Sequence, residues 1–230
     1  MNGHHVNLGK LALVCWTYRG IGDRAYEQLL QRTGGNPDPG DAGHRQLIID
    51  FLRKWYCFHR IEKDSDENIS TQMYNWHQQH NGALPNVNTN LWELAPLQMN
   101  AIGDVFNDLS GQVAGARGGR NVSFGPVAAA KTLFAIRPNA LVPWDTRIRQ
   151  HYVHANGTYR EFLGMMRDIA LNLAKQCQNH GFEIAELPQQ LGTPNKTVCK
   201  LIDEYNWRTI TKKFTPPDRQ TLERFIAWYE

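Results

Sequence analysis

The chain has 230 residues, 41% of them hydrophobic, enough to bury a core without disulfide or metal staples. A formal net charge of +3 excludes a polycation that coats nucleic acid unselectively, and no apolar run is long enough to span a bilayer. Cys15, Cys57, Cys177 and Cys199 lie far apart, with neither zinc-knuckle nor CxxC spacing, and residues 1–10 carry no secretory pattern, so a soluble, cytoplasmic protein with reduced thiols is expected.

Helical signals dominate and the alternating β pattern is nearly absent. A first helix is expected over about 23–33, stopped by Gly34-Gly35. After a turn-rich stretch, Leu47, Ile48, Phe51, Leu52, Trp55 and Phe58 recur at helical spacing in a segment expected to reach about residue 60. A helix over about 70–80 is polar but for Met73, Tyr74 and Trp76 and is expected at the surface. Pro96 suits the first turn of the next helix, which should end near Ser110-Gly111. The following GQVAGARGGRNVSFG is rich in glycine and reads as a loop that approaches something closely or moves.

A short helix over 126–136 then leads into RPNALVPWD, where two prolines forbid helix. Thr158 and Glu161 form a capping-box pattern for a core helix carrying Phe162, Met166, Ile169, Ala170, Leu173 and Cys177. Two shorter helices are expected after Thr193-Pro194 and Thr215-Pro216. No internal repeat is visible.

The chemistry concentrates in FGPVAAAKTLFAIRPNALVPWDTRIRQHY, residues 124–152. Gly125 and Pro126 stand at the mouth of a small-residue helix, whose free N–H groups would face an anion such as a DNA phosphate. Ordinary tight helix packing explains Ala128, Ala129 and Ala130 equally well. The turn that follows delivers one carboxylate, Asp145, beside Trp144 and ahead of Arg147 and Arg149. Further basic residues sit at Arg117 and Arg120 in the glycine-rich segment; scattered solvated charge is the alternative reading of these clusters. Asp-Thr-Arg after Pro-Trp is also good capping chemistry, so Asp145 reads either as a working carboxylate or as a helix N-cap.

A glycine-rich turn, a helix of small residues, a proline-containing loop and an aspartate opening the next helix together resemble the active-site core of the helix-hairpin-helix DNA glycosylases, over about residues 111–152. The resemblance implies a mainly α fold, a two-lobed helical bundle with a helix-hairpin-helix element, arranged as one domain over 1–230 with the cleft between its lobes. It implies a DNA glycosylase acting on a flipped damaged or modified base, in repair or in defence against phage DNA, with Asp145 as the catalytic carboxylate. Members with lyase activity carry a lysine where this chain has Val127, so a monofunctional, water-using enzyme is expected, with Lys131 one turn later in support.

DNA-gripping positions would be Arg117, Gly118, Gly119, Arg120, Phe124, Gly125, Arg147 and Arg149, and the base pocket would draw on Trp144, His151 and Tyr152. Structural roles for His151 and Tyr152 are the alternative. DNA is the expected partner, and no membrane. No cofactor is expected, since the four-cysteine iron–sulfur loop of some members is missing. No metal is expected either, because the pairs His77/His80 and His151/His154 lack a third ligand nearby. Two other functions compete: a non-catalytic helix-hairpin-helix module that grips phosphates, and a helical protein-interaction protein.

Overall fold

Local stop and start signals set most of the helices. The computed structural model describes residues 5–18, 20, 23–59, 61–62, 65–154 and 156–229. Helix α1 spans Leu8–Trp16 and was not anticipated; Asn7 caps it, and Leu11, Val14 and Cys15 are buried. Helix α2, Asp23–Arg32, ends where expected, because Gly34 and Gly35 turn the chain at φ 62° and 80° and Gly35 N–H reaches back to the Leu30 carbonyl. Helix α3, Ala42–Lys54, is capped by the Asp41 carboxylate and stops short of the expected end; residue 60 itself lies outside the described residues. Tyr56 and Phe58, at φ 61° and 60°, break the helix in the left-handed region that bulky side chains rarely enter.

Helix α4, Asp66–His80, is not the surface helix expected. Ile69, Met73, Trp76 and His77 are buried, and the Trp76 indole donates to the Val105 carbonyl at 3.1 Å. Its partner α5, Pro96–Gly111, starts with proline in its first turn as expected. The glycine-rich segment after it is a correction: it forms an antiparallel ribbon, β1 (Val113–Arg117) and β2 (Arg120–Ser123), with Arg117 opposite Arg120. Gly118 and Gly119, both at positive φ, make the two-residue turn that a tight hairpin demands. The expected close approach is real at Gly115, where an added Cβ would lie 2.5 Å from Ser65 Oγ and 2.6 Å from Ile61 Cγ2. Gly115→Ala is therefore expected to cost about 1–3 kcal/mol of stability through overpacking, read as a lower denaturant midpoint; an unchanged midpoint would mean that the ribbon shifts freely.

Helix α6, Gly125–Ile136, runs through the middle of the protein, with Ala128–Ala130 and every residue from Thr132 to Ile136 buried. Pro138 opens a turn closed by the Ala140 and Leu141 N–H groups on the Arg137 carbonyl, and Pro143 keeps the chain out of helix up to the N-cap Asp145 of helix α7, Thr146–Val153. Helix α8, Tyr159–Asn179, carries the expected capping box and apolar face. A short α9, Leu187–Gln190, precedes α10, Val198–Asn206. Thr193 does not start α10: its N–H and hydroxyl both bond the Pro188 carbonyl in a turn, and Thr197 is the cap instead. A π-helical turn, Trp207–Thr211, continues α10 directly. Helix α11, Arg219–Tyr229, is capped by Asp218 rather than entered at Thr215-Pro216.

The fold is mainly α-helical, with the ribbon contributing the strands among the described residues. Its buried apolar side chains form one contiguous cluster from Val6 to Ile202, with α6 and α8 contributing most heavily. No helix among the described residues is long and apolar enough to cross a membrane.

Candidate active site

Five separate pieces of chain converge on one cavity of about 260 Å³: the turn after α3, the middle of α6, the start of α7, the junction of α10 with its π-helical turn, and the segment after α1 that carries Tyr18 and Gly20. The first supplies Trp55 and Tyr56, the latter in its left-handed conformation and mostly exposed. Strained backbone of this kind collects at functional sites because packing must hold it there. Trp55 is stacked on Phe134 of α6, with centroids 5.9 Å apart and planes at 20°.

Lys131 extends from α6 into the cavity wall, as its helical spacing from Val127 and Phe134 allows. Its ammonium donates to the Trp55 carbonyl at 2.7 Å and lies 5.5 Å from the centre of the Trp55 ring. The amine is thus fastened to the wall.

Asp145 lines the same cavity and accepts two hydrogen bonds. Its Oδ1 accepts the Ile148 N–H at 2.8 Å, which is the cap. Its Oδ2 accepts the Thr211 hydroxyl at 2.7 Å, and the Thr211 carbonyl in turn accepts from Arg147 at 2.9 Å. The π-helical turn is what carries Thr211 round to this position; such turns often occur at functional sites. A carboxylate fixed by two donors still has lone pairs for a third partner.

Trp207 and Asp203 close the far wall. Trp207 meets Tyr18 edge-on at 5.6 Å and carries the Lys212 ammonium 4.7 Å from its ring centre. Behind them lies a buried charge cluster. The Lys200 ammonium, fully buried, sits 3.0 Å from Asp23, 3.3 Å from Glu204 and 3.5 Å from Asp203, while Lys196 pairs with Glu204 at 2.6 Å. Burial works against the Lys200 charge, but Asp203, Glu204, Tyr18 and Asp23 more than compensate and hold its pKa well above the ordinary lysine range. Burial also pushes the Asp203 carboxyl up to about 6, against the pull of Lys200 and with a further push from Glu204.

The other expected site residues are scattered. Trp144 touches the cavity but is buried, its indole bonded to the Pro126 carbonyl at 2.9 Å and its ring packed on Phe106, Tyr159 and Phe162; Trp55, Tyr56 and Trp207 are the more accessible aromatics. His151 and Tyr152 line a different cavity, with Tyr205 and Thr209. The Tyr152 hydroxyl donates to Asn206 Oδ1 at 2.7 Å, so Tyr152→Phe should strand a buried acceptor and cost about 1–3 kcal/mol. Denaturant unfolding reads this loss, and any activity at the Asp145 cavity should survive it.

Arg117, Gly118, Gly119 and Arg120 occupy the exposed tip of the ribbon. Phe124 is buried edge-on against Phe58 at 5.3 Å, so it serves packing, while Gly125 opens α6 at φ 69°. Arg147 is exposed and Arg149 lies 5.8 Å over the Trp144 ring, both on the first turn of α7 beside Asp145.

Lys54 and Lys212, exposed at the cavity mouth, add positive charge; Lys212 belongs with Lys213 to a basic pair visible in the sequence, whereas Lys54 carried no such signal. Among the described residues, no three His, Cys, Asp or Glu are grouped so as to hold a metal ion. Chemically the cavity offers a fixed carboxylate, flat aromatic walls, a cationic mouth and a second, buried carboxyl. No protein-family model, curated protein or solved structure matches the chain.

Proposed function

We propose that the chain is a DNA glycosylase that hydrolyses the N-glycosidic bond of a damaged or modified base swung out of the helix into the Asp145 cavity. The observation that carries the reading is the convergence of a fixed carboxylate, accessible aromatic faces and cations in one small cavity. Trp55, Tyr56 and Trp207 suit a flat ring, and Lys54, Lys212 and Arg147 suit the phosphates on either side of it. The ribbon tip with Arg117 and Arg120 offers a further backbone contact.

In the reaction, the bond between C1′ and the base nitrogen breaks and its electron pair leaves with the base. Asp145 stabilises the positive charge that develops on the sugar, then accepts the proton of the water that adds to C1′. Lys131, fastened to the Trp55 carbonyl, supports the wall rather than attacking, in keeping with Val127 at the position of the lyase nucleophile.

The test is incubation of the protein with DNAs containing oxidised bases, uracil or hypermodified phage bases, followed by mild alkali to cut abasic sites. Strand cleavage that requires alkali supports a monofunctional glycosylase, and the substrate cut separates repair from phage defence. Absence of cleavage on every DNA, with the protein folded, overturns the reading.

A further inference from the structure

The charge cluster behind the cavity holds three carboxyls, Asp23, Asp203 and Glu204, against two lysines, Lys196 and Lys200. Asp23 and Glu204 lie nearer to Lys200 than Asp203 does, and Lys196 pairs with the same two, at 2.6 Å from Glu204 and 3.9 Å from Asp23. The surplus carboxyl is therefore Asp203, the member of the three that lines the cavity. Lys131 acts on it from α6 with a weaker pull than Lys200, and Tyr18, which lines the same cavity, and Asp23 also act on Lys200. The surplus negative charge is relieved by a proton on Asp203, and a base that expels water from the cavity strengthens that preference.

Resting on the glycosylase reading, we infer that Asp203 is the general acid of the cavity, delivering its proton to the departing base while Asp145 serves the sugar. The two carboxyls divide the reaction as paired carboxyls do in glycoside hydrolysis. As the bond from C1′ to the base breaks, the electron pair moves onto the base and the Asp203 proton follows it to a ring nitrogen or carbonyl oxygen. Asp203 is left as a carboxylate beside Lys200, and the proton released by the attacking water restores the balance. The substrate class follows. A neutral oxidised, deaminated or hypermodified base departs as an anion and needs this proton. A cationic N-alkylated base departs neutral, needs none, and is disfavoured by the ammonium groups around the cavity.

Single-turnover excision by the wild type and Asp203→Asn is measured on DNAs carrying uracil, 8-oxoguanine, hypermodified phage pyrimidines or 7-methylguanine, across about pH 5 to 9. Wild-type excision of a neutral base should fall as pH rises through the Asp203 titration. Asp203→Asn should lower that rate by about 100-fold and flatten its pH dependence, and Asp203→Glu should restore part of both. Thermal melting reports whether the variants fold, and if neither does, the wild-type profile decides alone. A wild-type rate that does not fall with rising pH overturns the inference. So does an Asp203→Asn rate equal to wild type, or wild-type excision of 7-methylguanine alone; these outcomes leave the glycosylase reading standing. No excision of any base by folded wild-type protein overturns both.

Discussion

Replacing Asp145 by Asn is expected to lower single-turnover base excision by about a thousandfold, equivalent to about 4 kcal/mol of transition-state stabilisation, while leaving the fold intact. The isosteric amide keeps the cap, since its oxygen still accepts the Ile148 N–H. The Thr211 hydroxyl can rotate to accept from the new amide nitrogen instead of donating to the carboxylate. What is lost is the charge that faces the oxocarbenium-like sugar. Affinity for DNA should be unchanged or slightly stronger, because a negative charge has been removed from a cationic mouth. Asp145→Ala is the informative contrast: it removes cap and charge together and should add a stability loss of about 1 kcal/mol. Full excision by Asp145→Asn would leave Asp145 as a helix cap and assign the stabilisation of the sugar to another group of the cavity.

That contrast also marks how far the site was legible in the sequence. Asp145, Lys131 and Arg147 belong to one short segment, where a proline loop and a helix start announce themselves locally. Trp207, Thr211 and Asp203 reach the same cavity from more than 50 residues away in the chain, through tertiary packing alone. The spacing of Lys200, Asp203 and Glu204, within one helical turn and interleaved with buried Leu201 and Ile202, was the available signal for an internal charge cluster. His151 and Tyr152 were placed too near: Tyr152 is seven residues beyond Asp145, about 10 Å along a helix axis, and opens onto the next cavity.

The fold divides along the same line. The ends of α2, α5 and α8 are fixed by a glycine pair, a first-turn proline and a capping box, all of them local chemistry. The ribbon has no alternating apolar pattern to announce it, since VAGAR and RNVS owe their pairing to the Gly118-Gly119 turn and to packing of Gly115 on Ser65 and Ile61. Packing likewise buries α4 against α3, β1 and α5 despite its polar composition.

Lys200→Met should cost about 3–5 kcal/mol of stability near neutral pH. The ammonium has no access to water, and removing it takes from Asp203 its paired lysine, while Asp23 and Glu204 keep Lys196 at 3.9 and 2.6 Å. The methionine fills the same stem volume, so the loss is electrostatic rather than a cavity effect. Its pH dependence fixes the sign. In the native protein the raised Lys200 pKa means that the stabilisation is fully present below the ordinary lysine pKa and is lost only as pH rises through the folded value. Asp203 runs the same way at lower pH: its folded pKa of about 6 lies above the ordinary value, so its contribution is favourable in acid and lost as pH rises through about 6. Without Lys200 the Asp203 carboxyl should titrate still higher, and protonating it relieves the unpaired charge. Denaturant unfolding of the variant should therefore show a smaller deficit at about pH 5 than at about pH 8. A deficit independent of pH would trace the loss to packing around the lysine stem. A variant as stable as the wild type would show that the cluster contributes nothing to stability, and that its lysine is kept for the wall it builds behind Asp203.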